Sequence, residues 1–292
     1  VKPRFGLYHE VSHEIHQIFK QYTNLIQAIS LDEAWLDVTK NKTNNPSATW
    51  IAKEIKSQIF NETQLTCSAG VSFTKMLSKL ASDENKPDGL TIITPENAVE
   101  YMLNLKLRRI PGVGKVFEQK LKEQNIEYGR DLLPFNRVEL GLKFGNMGTF
   151  LHSAIRARID KEVKVNSKRK SISVERTYGT DLSFGEEMHK ELAHLAEELL
   201  RRMLKKGIKG KTIVLKIKFS NFEQITRSYT CDYNLEDRKQ IQSLALKKLN
   251  EVQPTYKHRK VRLLGLGISS LDSQQNEQSR ENSPSLIDHF KK

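Results

Sequence analysis

From Ser171 onward the apolar residues fall into six segments whose order leaves few folds open. Strands repeat every two residues and helices every 3.6, so the two patterns separate cleanly. The segments read as strand (Ser171–Tyr178), helix (Glu187–Lys206), strand (Thr212–Phe219), strand (Gln224–Thr230), helix (Leu235–Glu251) and strand (Lys260–Ser269). That order is β-α-β-β-α-β, the split βαβ arrangement, in which two helices cover one face of a sheet. In the third segment Ile213, Leu215, Ile217 and Phe219 alternate with Thr212, Lys216 and Lys218. The apolar set should face the helices and the lysines should point away. A lysine-bearing open face suits phosphate binding, and a merely solvated face explains a single strand equally well.

Upstream, Leu7, Val11, Ile15, Ile18, Phe19 and Tyr22 have helical spacing, as do Ile51, Ile55 and Ile59. Leu65 to Val71 predicts a buried strand, Lys75 to Ser82 a short helix and Leu90 to Ile93 another strand. Thr94-Pro95 predicts a helix start, with Thr94 as N-cap and Pro95 in the first helical position. Residues 1–94 therefore read as an α/β domain. From Pro95 to residue 165 the pattern is helical, broken at Pro111-Gly112-Val113-Gly114 and at Gly145-Asn146-Met147-Gly148. Asn166-Ser167-Lys168-Arg169-Lys170 reads as a linker, 171–270 as the split βαβ domain and 271–292 as a tail. Residues 272–285 carry no apolar side chain, which predicts disorder.

Charge is unevenly spread. Residues 1–100 hold 10 Lys/Arg against 12 Asp/Glu, residues 101–170 hold 16 against 7, and residues 171–292 hold 22 against 16. A mildly acidic first part joined to a basic remainder suits a catalytic part attached to parts that grip a polyanion. No strongly amphipathic basic helix with an aromatic face points to a membrane surface, and no apolar run has the length of a membrane span. Cys67 and Cys231 are far apart and lack CxxC spacing, which argues against a zinc site or a disulfide framework and for a reducing cytoplasm.

The chemistry concentrates in Ile29-Ser30-Leu31-Asp32-Glu33-Ala34-Trp35-Leu36-Asp37-Val38-Thr39. Two adjacent carboxylates in a partly buried segment repel each other and call for a cation. A solvated hairpin tip between two strands accommodates the same pair. The segment resembles the S-x-D-E-A-[FYW]-L-D-V-T motif of Y-family translesion DNA polymerases of the DinB branch. Pro3-Arg4-Phe5 with Tyr8 is similar to the segment before that branch's palm helix. Ser68-Ala69-Gly70-Val71 and Lys79-Leu80-Ala81-Ser82-Asp83-Glu84-Asn85-Lys86-Pro87-Asp88-Gly89 resemble its second palm block. Arg109-Ile110-Pro111-Gly112-Val113-Gly114-Lys115 resembles its thumb hairpin, and Lys170 to Thr177 its lead into the little finger. The blocks fall in family order across nearly the whole chain.

The resemblance implies a multidomain α/β and α+β protein: a partial palm, a small helical thumb with a helix-hairpin-helix, and a β-α-β-β-α-β little finger. It implies an error-prone polymerase adding deoxynucleoside triphosphates to a primer opposite damaged template, with two magnesium ions. Asp32 would ligate both ions and Glu33 the one activating the primer 3′-hydroxyl, while Asp37 is structural. Lys79 and Lys86 would meet the triphosphate, though surface lysines beside a turn look the same. Gly112, Val113, Gly114 and Lys115 would approach the phosphates of primer–template DNA without reading sequence, and Lys216 and Lys218 would add to that grip. Leu286 and Phe290 resemble the apolar anchors of a sliding-clamp peptide, with Ser285 where the family has glutamine. The chain begins at Val1 without the family's D-x-D-x-F-[FY] strand, so it is expected to be a C-terminal fragment, monomeric and with little or no activity alone. The alternative functions are a non-catalytic clamp on duplex DNA and, from the Asp32–Glu33 pair, a nuclease.

Overall fold

The computed structural model describes residues 3–159, 162–165 and 169–272. The chain folds as two compact units, Val1–Ser167 and Lys168–Lys292.

The first unit runs α1 (Phe5–Tyr22), β1 (Ile26–Ala28), β2 (Ala34–Leu36), α2 (Ala48–Thr63), β3 (Ala69–Ser72), α3 (Lys75–Ser82) and β4 (Leu90–Ile93). Helices α4 (Pro95–Asn104), α5 (Lys115–Lys122) and α6 (Arg137–Ala154) follow, with 3-10 turns at Leu107–Arg109 and Gly129–Leu132. Three of these starts have a local cause in a capping side chain. The Ser47 hydroxyl caps α2 by accepting from the Trp50 amide at 3.2 Å, and Thr74 does the same for α3 through Leu77. Asn136 and Glu139 form a capping box at the head of α6, and Gly145, at φ 60° and ψ −144°, breaks that helix midway.

β1 and β2 pair antiparallel, β3 and β4 parallel. The predicted strand from Leu65 is shorter in the structure: pairing begins at Ala69 with Leu90, and Leu65 is 48% exposed. Its apolar character does not make a strand without a neighbouring strand to hydrogen-bond.

Two apolar interiors support this unit. One gathers Ile18, Tyr22, Ile51, Ile55 and Ile59, with Leu36, Val38 and Cys67 packed against it. The other begins with Met76, Leu77, Leu80, Ala81 and Ile93 and continues through Ala98, Met102, Leu121, Leu140 and Leu151 to Ile155. It is continuous across Thr94-Pro95. Each Leu, Ile or Met among them contributes about 1.5–3 kcal/mol by leaving water.

The second unit is β5 (Ser171–Leu182), α7 (Glu186–Lys205), β6 (Gly210–Phe219), β7 (Gln224–Thr230), α8 (Arg238–Tyr256) and β8 (Val261–Leu271). The sheet order is β5-β8-β6-β7 with every neighbouring pair antiparallel. β8 lies between β5 and β6, the insertion that defines a split βαβ fold. Helix α8 starts three residues later than expected because Asp237 caps it, accepting from the Lys239 amide at 3.1 Å. Ile213, Leu215, Ile217 and Phe219 are buried with Leu192, Leu195 and Leu199 of α7 and Ile241, Ala245 and Leu249 of α8, as the alternation required.

Candidate functional site

Asp32 and Glu33 sit in the turn joining β1 to β2, so the backbone reverses at the residues where both carboxylates project. The Glu33 carbonyl accepts from the amides of Ile29 (2.8 Å) and Ser30 (3.3 Å) and closes the turn. The Ser30 hydroxyl donates to Asp32 Oδ1 at 2.5 Å. Asp32 is exposed and Glu33 half-buried, with Ala34, Trp35 and Leu36 of β2 half-buried as well. Asp37 ends the strand as a backbone bracket: its Oδ1 accepts from the Thr39 amide at 2.9 Å and its carbonyl from the Thr23 hydroxyl at 2.7 Å.

The turn meets helix α3. Trp35 Nε1 donates to the Lys75 carbonyl at 2.9 Å, and the Lys75 ammonium lies 4.7 Å from the indole centroid. One helical turn on, Lys79 Nζ lies 3.0 Å from Glu33 Oε1 and 3.0 Å from Asp83 Oδ2. Asp83 Oδ1 in turn lies 2.6 Å from Lys86 Nζ. Glu33, Lys79, Asp83 and Lys86 thus form one chain of alternating charge. Burial alone would lower the Lys79 pKa, but the hydrogen bonds and charges of Asp83 and Glu33 outweigh it and raise it above the ordinary lysine value. For Asp83 burial pushes upward, and Lys86 and Lys79 together reverse this and lower its pKa. Asp83 lies inside the motif, but nothing in the sequence alone singles it out as the link between the lysines.

The Pro111–Lys115 segment joins the 3-10 turn Leu107–Arg109 to α5, so the first arm of the expected helix-hairpin-helix is a single tight turn. The Val113 amide donates to the Ile110 carbonyl at 3.0 Å, placing Pro111 and Gly112 at the corner. Gly112 has φ 99°, the conformation this corner demands and side chains resist. Val113, expected among the phosphate contacts, is instead buried with its amide and carbonyl both engaged, so it shapes the turn rather than meeting a phosphate, whereas Gly112, Gly114 and Lys115 are exposed. Arg108 Nη1 braces the turn by donating to the Val113 carbonyl at 2.5 Å.

Lys216 and Lys218 lie on the sheet face away from the apolar set, with Thr226 and Gln224 beside them on β7. Lys216 pairs with Glu175 of β5, although β8 lies between their strands. The crossing is possible because the intervening residue is Gly265, where a Cβ would stand 2.8 Å from Glu175 Cγ. Leu286 and Phe290 lie outside the described residues. Among the described residues no cluster of three or more His, Cys, Asp or Glu side chains is placed to hold a metal ion. No described helix is long and apolar enough to cross a membrane.

Comparison with known proteins identifies the family. Residues 1–83 match the impB/mucB/samB family and residues 169–281 that family's C-terminal domain. DNA polymerase IV of Clostridium perfringens strain SM101 is 42% identical over 272 residues, covering 93% of this chain and 75% of the relative. The chain belongs to the DNA polymerase IV branch of the Y-family. It is therefore a DNA-directed, translesion-type DNA polymerase, spanning about three quarters of its relatives' length. DNA polymerase IV of Clostridioides difficile strain 630 is 43% identical, with 93% of this chain and 74% of the relative covered. In structure, a Dbh–Dpo4 Y-family polymerase chimera superposes with TM-score 0.80 at 24% identity, over 92% of this chain and 77% of the other. DinB from Sulfolobus solfataricus gives 0.55 at 24% identity, over 93% and 79%. At these identities the structural likeness speaks to the polymerase's fold alone.

Proposed function

We propose that the polymerase carries out nucleotidyl transfer at the β1–β2 turn, with Asp32 and Glu33 as metal-holding carboxylates and Lys79 and Lys86 as partners of the incoming triphosphate. What supports this is the run Glu33–Lys79–Asp83–Lys86, in which successive charged groups lie within 3.0 Å. Transfer of a nucleotide needs anionic ligands for divalent cations and cationic ligands for phosphate oxygens side by side.

The donor set suits magnesium, which takes one or two carboxylates and fills its shell with water and phosphate oxygens. Bound there, the metal would neutralise charge on the reacting phosphate and lower the pKa of the primer 3′-hydroxyl. The chain's own residues do the rest. Ser30 and the closed turn hold the Asp32 carboxylate in place, Lys79 pairs with Glu33 and fixes its position, and Lys86 is held near Lys79 by Asp83. Gly112, Gly114 and Lys115, and the lysines of β6, would grip the primer–template backbone without reading bases.

The test is single-nucleotide insertion by the polymerase as the cell makes it. Asp32→Ala and Glu33→Ala should each abolish insertion and leave primer–template affinity within about twofold, since neither touches the gripping surfaces. Near-normal insertion by either variant overturns the assignment.

A further inference from the structure

One lysine outside the motif ties the loop that carries Lys86 to the segment leading into β3. Lys56 projects from α2, and its side chain is 15% exposed. Its ammonium donates to the carbonyl of Cys67, to the carbonyl of Asp88 at 3.0 Å, and to the Asp88 carboxylate. A lysine has three N–H donors, and these three acceptors use them all. A lysine this withdrawn from water is retained only where its charge is compensated, and Asp88 supplies that compensation.

Asp88 itself has φ 55°, a left-handed backbone that only a few residue types adopt readily. The neighbouring Gly89 amide donates to the Ser68 hydroxyl at 3.1 Å, and the Gly89 carbonyl accepts from the Ala69 amide at 2.9 Å. The segment from Lys86 to Gly89 is thus held on one side by β3 and on the other by α2. Lys86, two residues before Asp88, is half-exposed, and its ammonium is tied only by the Asp83 carboxylate among the contacts described for it.

We propose that Lys56 is a positioning residue for nucleotide binding: by holding Asp88 it fixes the loop from which Lys86 reaches the triphosphate. The proposal rests on the assignment of Lys86 given above. Lys56 touches neither nucleotide nor metal in this scheme and acts entirely through the backbone of the loop.

The experiment is steady-state insertion of a single deoxynucleotide by the polymerase as the cell makes it. Wild type is compared with Lys56→Met, Lys56→Arg, Asp88→Asn and Lys86→Ala, with primer–template affinity and thermal midpoint measured alongside. Lys56→Met keeps the aliphatic stem and removes the donors. Asp88→Asn keeps a residue that tolerates positive φ and removes the charge, so it reads the same contact if Lys56→Met fails to fold. The expected result is a KM for the nucleotide raised about tenfold in Lys56→Met, the order that loss of one charge-assisted hydrogen bond gives. A smaller rise is expected in Asp88→Asn, partial recovery in Lys56→Arg, and little change in kcat or DNA affinity. A purely structural role would lower the thermal midpoint and the active fraction, and with it kcat, but leave KM in place. Unchanged KM in both Lys56→Met and Asp88→Asn, with KM raised in Lys86→Ala, overturns the role of Lys56 alone. Unchanged KM in Lys86→Ala removes the assignment of Lys86 and the proposal with it.

Discussion

Replacing Glu175 by Gln should make the polymerase bind duplex DNA more tightly, although the change removes an ion pair. Glu175 and Lys216 stand on strands two spacings apart, about 9.6 Å, with only Gly265 between them. In wild type the carboxylate competes with phosphate for the Lys216 ammonium, so this lysine brings only part of its charge to a phosphate-facing surface. The amide keeps the shape of the side chain and releases the charge. One additional cation meeting one phosphate steepens the fall of log K with log salt by about 0.9. A fourfold rise in salt, from about 50 to about 200 mM, then costs the variant about 3.5-fold more affinity than it costs wild type. The variant should therefore bind several-fold more tightly at the lower salt and nearly equally at the higher. Both partners are about one-third exposed, so losing the pair alters folding stability by only about 0–1 kcal/mol. Fluorescence anisotropy of a labelled primer–template, titrated with each protein at four salt concentrations, measures both intercept and slope. Lys216→Met serves as the opposite control, with a shallower slope. Parallel salt lines for wild type and Glu175→Gln, or weaker binding by the variant, would refute the idea that this face grips phosphates through Lys216.

Two further outcomes follow from the geometry. Gly112→Ala places a Cβ on a residue at φ 99° and should cost about 1–2 kcal/mol, seen as a lowered thermal midpoint together with weaker primer–template binding; an unchanged midpoint would mean that the corner does not need glycine. Tyr101 and Tyr178 both have pKa values raised above 10.0, first by burial and then by the carboxylates of Glu84 and Glu191 respectively. A raised pKa in the folded state leaves stability intact below the unfolded value, and stability declines above pH 10 as the unfolded tyrosines ionise first. Urea melts between about pH 8 and about pH 11 should show this decline, and Tyr101→Phe with Tyr178→Phe should flatten it.

Much of the fold was legible because its signals are local. α3, β4 and β7 begin and end where the sequence places them: Thr74 caps α3, Thr94-Pro95 closes β4, and β7 is bounded by polar turns. The strand at Leu65 was overextended because a single sequence reports apolar character but not the neighbour that completes a ladder. α8 began late because its cap, Asp237, lies inside what periodicity alone takes as helix. Asp32, Glu33, Lys79 and Lys86 could be nominated because they fall within contiguous motifs. The tie from Lys56 to Asp88 spans 32 positions, and the Lys216–Glu175 pair spans 41 and depends on strand register. The Glu84 carboxylate that holds both the Tyr101 hydroxyl and Arg109 depends on the packing of α4 beside β4. Such partners are fixed by tertiary structure, and no spacing rule reaches them.

The two apolar interiors of the first unit divide the labour of the site. The turn bearing Asp32 and Glu33 leads into β2, whose Leu36 rests on the interior of Ile18, Ile51 and Ile55. Lys79 stands on α3, rooted through Met76, Leu77, Leu80 and Ala81 in the interior shared with α4, α5 and α6. The carboxylates and Lys79 therefore rest on separate foundations, and the Glu33–Lys79 contact bridges the joint between them. Misplacement by about 1 Å from a change far from the chemistry can cost about a hundredfold in rate. Substitutions deep in either foundation, remote from any charged group, can thus act as catalytic lesions by letting one half of the centre settle against the other. Matched changes across the joint can restore the alignment without altering a single functional side chain.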